Sequence, residues 1–427
     1  MLLAFYLPTA IFGFCEGLLI PILPVFAAGF DTSLALIGVV LAGESFGMLL
    51  GGVPSGWLAG RLPPKTAMLL GGSVAALGVV LTPAAPSLAV VIGLRVLTGA
   101  GFALFNLSRH AYLTMSAREG RRGRLISIYG GVNRFGAFLG PAAGGLLAAW
   151  LGLGAPFFLY AMLAVVALVL ALRYLPSIDM AGDAATVAPG AAAPGAAAIQ
   201  PGTPGSGPAG VPGEAAPGAP PPAKVRRDRQ HVRELLRSSR TSLINAGIGQ
   251  LLGQTVRAGR VAIIPLYASQ VLGLDIATVG LIVSVSGFVD MSLFYPAGWI
   301  MDRFGRKYSI IPCFLIQAIG LALIPLTGGA GALMAVGVLI GIGNGLGSGN
   351  MMTLGSDLAP RGAVGEFLGL WRLIGDAGFA VGPILVGAVA QVVGLGASAF
   401  TIAAIGVLSV SWFALRVPET LKRSRYG

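Results

Sequence analysis

Twelve apolar runs constrain this chain of 427 residues more than any other feature of its sequence. A helix needs about 20 apolar residues to cross the roughly 30 Å of hydrocarbon in a bilayer. Only 10% of the residues are charged, against about 25% in soluble domains, so the chain cannot cover a water-facing surface. The runs predict membrane-spanning helices near residues 4–29, 34–58, 66–83, 87–116, 124–149, 155–175, 241–270, 277–300, 308–326, 331–357, 364–392 and 396–415.

The placement of basic residues predicts the orientation of these helices. Arg61, Lys65, the basic cluster at 118–124, and the basic cluster at 303–307 fall in loops on one side. Because cytoplasmic loops carry an excess of Lys and Arg, we expect a multi-pass protein of the cell membrane with both termini in the cytoplasm. The net charge of +12 then follows from topology, and no nucleic-acid partner is needed to explain it.

The first run has no basic segment before it and no small-residue cleavage site, so we predict a retained span rather than a signal peptide. Residues 176–222 are rich in Pro, Ala and Gly and cannot build a packed core. They precede the basic stretch KVRRDRQHVRELLRSSR at 224–240. The sequence thus predicts a first domain at 1–175, a disordered and basic cytoplasmic linker at 176–235, and a second domain at 236–427.

The two predicted domains are related by an internal repeat at a constant offset of 242 positions. GWLAGRLPPK begins at Gly56 and its better-preserved copy, GWIMDRFGRK, begins at Gly298. The same offset aligns VL-G-G at 96–101 with 338–343 and the Gly-Pro pattern at 136–145 with 378–387. An even number of spans per repeat gives both halves one orientation, so they should be related by an axis along the membrane normal, with a site between them.

Three motifs resemble those of the major facilitator superfamily, and the resemblance extends over the whole chain outside the linker. GWIMDRFGRK resembles the cytoplasmic loop motif of that family, RVLTGAG (Arg95–Gly101) its fourth-span motif, and GAFLGPAAGG (Gly136–Gly145) a fifth-span motif found in drug:proton antiporters. The resemblance implies an all-α membrane protein of twelve transmembrane helices in two pseudo-symmetric six-helix bundles.

The resemblance also implies a function: proton-coupled efflux of small organic molecules by alternating access. A sugar or metabolite uniporter or symporter is the alternative within the same class, and a non-transporting membrane sensor or assembly platform, with the linker as its partner surface, is the alternative outside it. We expect small-molecule substrates, protons and lipid as partners, and a monomer. The sequence predicts no cofactor, no metal site and no catalytic residues, and hence no enzyme; Cys15 and Cys313 lie in separate apolar runs.

A gating loop is predicted around the second copy of the repeated motif. Its members are Gly298, Asp302, Arg303, Gly305, Arg306 and Lys307. Asp302 can accept hydrogen bonds from Arg303 or Arg306, or face the N-terminus of a neighbouring helix; plain topogenic charge is the alternative. In the first copy Gly60 replaces the expected Asp, and we hypothesise that Glu366 supplies the missing acid to Arg61 or Lys65.

The fifth-span motif is predicted to close one side of the cavity. Its members are Gly136, Gly140, Pro141, Gly144 and Gly145. The glycines allow close approach of backbones and Pro141 kinks the helix. Ordinary small-residue packing, without a directional role, is the alternative.

Ionisable residues within the spans are the candidates for coupling, because a charge at mid-bilayer is costly unless it is paired or wet. Glu16 is the first proton-coupling candidate, since it lies in apolar surroundings that favour its protonated form; a structural ion pair is its alternative. Glu44 and Asp376 are further candidates. Cavity and counter-ion candidates are Arg95, Asn106, Arg134, Gln254, Arg257 and Asn344. A cross-half pair of Arg134 with Asp376 is conceivable, and Asp290 is predicted to support the gate.

Overall fold

The structure, a computed structural model, describes residues 6–116, 122–175, 234, 237, 240–360 and 362–421. Side chains are described for these residues except at 113–116 and 122–129. The predicted linker at 176–235 therefore lies outside the described residues apart from Glu234, and the linker boundaries stay a prediction.

Helices make up the regular secondary structure of the described residues. The first half contains α1 (Leu7–Ala28), α2 (Leu34–Ala59), α3 (Pro64–Ala84), α4 (Leu88–Ser116), α5 (Arg122–Leu151) and α6 (Ala155–Tyr174). The second half contains α7 (Arg240–Gln270), α8 (Ile276–Arg303), α9 (Lys307–Leu326), α10 (Ala330–Leu358), α11 (Val364–Val393) and α12 (Leu395–Arg416). Ten of these are long and apolar enough to cross a membrane, and α5 and α7 are 30 and 31 residues long.

The packing of the helices repeats between the halves, which confirms the twelve-helix, two-bundle fold that the sequence predicts. In the first half α2 packs against α4 and α1 against α5; in the second, α8 packs against α10 and α7 against α11. The two largest contacts between the halves are α2 with α11 and α5 with α8, each the pseudo-symmetric copy of the other, and a smaller contact joins α1 and α7. The molecule is a multi-pass all-α membrane protein.

Local signals that begin and end the helices are duplicated as well. The Ser33 hydroxyl accepts a hydrogen bond from the Leu36 N–H at the start of α2 (3.3 Å), and the Asp275 carboxylate accepts one from the Thr278 N–H at the start of α8 (3.0 Å). Such N-caps satisfy backbone donors that a helix leaves free. They place the halves in the same register, so that equivalent side chains lie at equal depths.

The bundle has two ends, which differ in charge. The "basic end" carries Arg61 and Lys65 between α2 and α3, and Arg303 and Lys307 between α8 and α9. The "opposite end" carries the connections at 29–33 and 271–275.

Candidate functional site

A central cavity lies between the two halves. One region of it, about 460 Å³, is lined mainly by α1, α2, α4, α7 and α11. A second region, about 320 Å³, is lined by α5, α7 and α8 with one residue of α1. Ile20 and Val261 line both regions, so the two adjoin one another. We name the first the "acidic side", after Glu16 and Glu44, and the second the "basic side", after Arg134 and Arg260.

Glycines pack the two halves together at the opposite end of the cavity. A Cβ atom on Gly38 of α2 would lie 3.1 Å from the Cα of Gly387 on α11. In the symmetry-related contact, a Cβ atom on Gly280 of α8 would lie 3.1 Å from the Cα of Gly145 on α5. Such distances leave no room for a side chain, so backbone lies on backbone and this end is closed.

Glycines of the same helices make no such contact at the basic end. Gly52 and Gly56 near the end of α2, and Gly298 near the end of α8, have no atom within 4 Å of the position that a Cβ would occupy. These glycines belong to the same two helices that pack tightly at the opposite end. Glycine contacts thus join the halves at the opposite end, and none joins them at these three positions of the basic end.

Glu44 and Arg95 form an ion pair on the acidic side. Glu44 lies on α2 and Arg95 on α4, and Arg95 Nη2 donates to Glu44 Oε2. The Arg95 side chain is only 8% exposed, and Gly43 allows its Cβ to approach α2 closely. A buried arginine in lipid needs such a partner. Of the sequence candidates, these two are brought together, and Arg95 is the counter-ion of Glu44.

Glu16 lines the same side of the cavity without such a partner. Its side chain is exposed to the cavity from the middle of α1. Glu44 and Arg109 are the charged groups that act on it, but no ion pair or hydrogen bond reaches its carboxylate from the described residues. Arg109 instead donates to Asn106 Oδ1 at 2.7 Å and lies over the Phe105 ring. Among the described carboxylates of the cavity, Glu16 is distinguished by this lack of a cation.

Asp376 is held on its own helix. Arg372 Nε lies 3.6 Å from Asp376 Oδ2, one turn away on α11. The expected cross-half pair of Asp376 with Arg134 is not what the structure shows, because α5 packs against α8 and α11 packs against α2. Two residues at equivalent repeat positions lie on opposite sides of the pseudo-twofold axis, which separates them here.

Arg134 reaches across to the second half and meets Asp290. Its Nη1 lies 3.4 Å from Asp290 Oδ1 and donates to Ser348 Oγ at 2.8 Å. Arg260 Nη2 of α7 lies 3.8 Å from Asp290 Oδ2, and the Asn344 amide donates to the same oxygen at 2.6 Å. Asp290, which the sequence suggests as gate support, lies at the centre of the basic side.

Arg257 lies one turn before Arg260 on α7 but does not pair with Asp290. Its Nη2 donates to the Gly347 carbonyl at 3.0 Å and lies 3.5 Å from Asn350 Oδ1. The guanidinium also lies over the Phe314 ring, 5.6 Å from its centroid. Gln254, another candidate on α7, packs against α11 at Gly378, and its side-chain oxygen is buried without a described partner.

Residues of the predicted gating loop contact one another and the ends of α10 and α12. Arg306 Nη1 lies 3.3 Å from Asp302 Oδ1, while Arg306 Nε donates to Asp357 Oδ2 at 2.9 Å. Arg303 lies over the rings of Trp299 and Phe304 instead of pairing with Asp302. All of these contacts fall within the second half.

Glu419, which follows α12, caps the start of α9 next to Gly305. Its carboxylate accepts hydrogen bonds from the backbone N–H groups of Arg306 (2.9 Å) and Lys307 (3.0 Å). Gly305 has φ +125°, and a Cβ there would lie 2.6 Å from the Glu419 carboxylate. Glycine at this position thus adopts the positive φ and also leaves room for the Glu419 carboxylate.

The first copy of the loop has different partners from those hypothesised. The Arg61 guanidinium lies over the Trp57 ring at 3.6 Å, and Lys65 Nζ donates to the Leu175 carbonyl at 2.6 Å. Neither contacts Glu366, so the proposed substitute acid is not supported in this arrangement. Both contacts lie within the first half, whereas Glu366 belongs to α11 of the second.

The fifth-span motif packs α5 against two helices. Gly136, Gly140 and Gly144 face α1, where added Cβ atoms would overlap its backbone. Gly145 faces α8 at the contact that closes the opposite end, and the Pro141 carbonyl lies against Gly280 there. The motif thus packs small residues against both helices, and its role in closing one side of the cavity stays a prediction.

Sequence reasoning missed the role of several residues at these sites. Arg260 is an intramembrane charge that was not among the cavity candidates, although its spacing of three from Arg257 places both on one helix face. Asp357 lies near the end of α10 and Glu419 follows α12. No sequence motif marks either residue, because their partners come from distant parts of the chain.

Two curated proteins show partial similarity to this chain. The galactose-proton symporter of Escherichia coli K12 is 31% identical over 33% of this chain and 31% of its own length. The methylenomycin A resistance protein of Streptomyces coelicolor is 32% identical over 33% of this chain and 29% of its own length. The chain thus matches about a third of the length of these relatives.

The fold is shared over almost the full chain. The structure of a bacterial homolog of the human lysosomal transporter Spinster superimposes with a TM-score of 0.73 at 15% identity, covering 97% of this chain and 96% of that one. The sequence model of the Major Facilitator Superfamily matches residues 5–242 and 246–426. With the duplicated six-helix bundles and the cavity between them, this match shows that the chain belongs to the major facilitator superfamily.

Proposed function

We propose that the protein is a proton-coupled secondary active transporter of small organic molecules that works by alternating access. The cavity closed at one end supplies one of the two required arrangements. By the positive-inside rule the basic end faces the cytoplasm, so this arrangement is inward-facing. Rocking of the halves about the cavity would produce the other arrangement.

The observation that carries proton coupling is the Glu16 carboxylate, which faces the cavity without an ion-pair partner among the residues that the structure describes. Glu44 is paired with Arg95, Asp376 with Arg372, and Asp290 with Arg134 and Arg260. These three acids each have a cation beside them, whereas an unpaired charge in a membrane interior costs several kcal/mol. Gain or loss of one proton on Glu16 therefore changes the free energy of the cavity enough to shift an equilibrium between two arrangements.

Similarity supports two directions of transport. The fifth-span motif and the partial match to a methylenomycin A resistance protein favour efflux in exchange for protons. The partial match to a galactose-proton symporter favours uptake together with protons. Flux of galactose and of the dye ethidium into vesicles, with the proton gradient imposed in either direction, distinguishes them.

The test of coupling is Glu16→Gln in the full chain reconstituted into vesicles. We expect the variant to lose accumulation driven by a proton gradient while retaining exchange of the same substrate across the membrane without a gradient. Asp31→Asn is the matched control: it removes an acid at the opposite end, outside the cavity, and asparagine accepts the φ of +48° found there. Gradient-driven accumulation that survives Glu16→Gln would refute the role of Glu16.

A further inference from the structure

The basic side of the cavity has more positive than negative charge. Arg134 and Arg260 line it, and Arg257, one turn before Arg260 on α7, lies close enough to act electrostatically on both. Among the described residues, Asp290 is the acid that pairs with this cluster. Its single charge balances one of the three guanidinium groups at most.

The distances show that the pairing is also incomplete in geometry. Arg134 and Arg260 approach Asp290 at 3.4 and 3.8 Å, longer than the 2.7–2.9 Å typical of strong charged hydrogen bonds. The closest donor to Asp290 is the neutral amide of Asn344, at 2.6 Å. Arg257 has only carbonyl oxygens, a cysteine sulfur and an aromatic ring beside it.

Several donors of the cluster have no described partner at all. The Nε atoms of Arg257 and Arg260 are buried without a hydrogen bond, and so are the Ser286 hydroxyl and the Asn350 amide nitrogen. Ser286 lines the basic side together with Arg134 and Arg260. Buried donors are normally satisfied, and each exception calls for an explanation.

We propose that the basic side binds the anionic group of the transported molecule, a carboxylate, sulfonate or phosphate, on Arg134 and Arg260, with Arg257 adding positive charge beside them. An anion there supplies the missing charge in a low-dielectric interior, where uncompensated arginines are costly. Guanidinium groups bind such oxyanions in a bidentate geometry that an ammonium cannot offer. The remainder of the molecule extends past Ile20 and Val261 to the mainly apolar acidic side. The inference rests on the proposed transport function and names its substrate class.

The arginines of this site come from both halves, so movement of the halves changes the distances between them. Arg134 belongs to α5 of the first half, whereas Arg257 and Arg260 belong to α7 of the second. An anion held by both groups therefore bridges α5 and α7, and with them the two halves. Because ionised Glu16 shares the cavity, anion binding should strengthen when Glu16 is protonated.

The test measures binding to the purified full chain in detergent, without any gradient, by the shift of its unfolding temperature. The probes are benzoate, benzenesulfonate and phenyl phosphate, with neutral benzamide and cationic benzylamine as matched compounds. We expect the three anions to stabilise the protein and the other two to have no effect. Arg257→Gln and Arg260→Gln should weaken anion binding roughly 10- to 100-fold, and Arg257→Lys should retain part of it.

Arg416→Gln is the control variant, because Arg416 lies at the end of α12 over Trp412, away from the cavity. Equal stabilisation by anionic, neutral and cationic probes would overturn the proposal, as would anion binding that survives the Arg257→Gln/Arg260→Gln double variant. Absence of stabilisation by any anion up to the millimolar range would overturn it too. Since no gradient is involved, such a failure leaves proton coupling through Glu16 to its own test.

Discussion

Replacing Gly38 by alanine should shift the protein away from the arrangement described above. A Cβ at this position would overlap the Pro383 carbonyl oxygen and lie 3.1 Å from the Gly387 Cα. Both obstacles are backbone atoms of α11, so no side-chain rotation relieves the overlap. The contact must open by a few tenths of an ångström or more along the α2–α11 seam.

The size of the effect follows from what differs between the two arrangements. Alanine improves helix propensity equally in both, so that contribution cancels. The overlap exists only where the opposite end is closed, and forcing an extra methyl into a packed contact costs about 1–3 kcal/mol. The equilibrium should therefore move about 5- to 150-fold toward the arrangement that is open at this end.

The assay is a distance measurement between spin labels at the opposite end, on Ser87→Cys in the first half and Val271→Cys in the second. Both positions are exposed, and the native cysteines Cys15 and Cys313 are buried. Gly38→Ala should add a population of longer distances. Gly52→Ala, on the same helix and with no atom within 4 Å of its Cβ position, should not. Equal effects of the two variants would refute the reasoning.

Two further predictions concern charged groups. Glu44→Gln should lower the free energy of unfolding by about 3–5 kcal/mol, because it leaves the buried Arg95 without a partner; thermal unfolding in detergent measures this, and a double variant with Arg95→Gln should recover part of the loss. Burial raises the pKa of Glu419, but hydrogen bonds from the backbone of Leu421, Lys307, Arg306 and Thr420 outweigh it, so its pKa lies below the ordinary value. A lowered folded-state pKa gives stability that is present above the unfolded pKa, about 4.3, and is lost as the pH falls through the folded value. Acid unfolding of the wild type should therefore contain a component that Glu419→Gln lacks, and identical profiles would contradict the assignment.

The sequence predicts the repeated architecture well, because duplication copies its local signals. Predicted spans at 34–58 and 364–392 correspond to helices at Leu34–Ala59 and Val364–Val393. Hydropathy sets these limits, and hydropathy is a property of each segment alone. The same reasoning could not find the break in α10 at 347–349, since a glycine-rich run reads equally well as continuous helix.

Side-chain partners were harder to predict because they depend on which helices are neighbours. The Glu44–Arg95 pair joins two candidates, but nothing in the sequence distinguishes it from other acid–base combinations. The repeat suggests a pair of Arg134 with Asp376, yet the repeat only places equivalent residues at equal depth. Which of them meet depends on the α5–α8 and α2–α11 contacts, and these are properties of the assembled halves. Hence the sequence predicts only that Asp290 supports the gate, whereas in the structure Asp290 lies at the centre of a charge cluster.

Two glycines at the basic end indicate how the halves pack in the second arrangement, in which the basic end is closed. Gly56 and Gly298 occupy equivalent repeat positions inside helices, where glycine costs about 0.5–1 kcal/mol relative to alanine. Neither has an atom within 4 Å of its Cβ position, so no contact in the present arrangement accounts for that cost. At the opposite end, the glycines of the same two helices lie on the backbone of the other half. We therefore expect Gly56 and Gly298 to make the matching contact when the basic end closes. Gly56→Leu is then the converse of Gly38→Ala: it should favour the present arrangement, and the double variant should return toward the wild-type distance distribution. If Gly56→Leu acts in the same direction as Gly38→Ala, these glycines serve the lipid-facing surface and the argument from two arrangements fails.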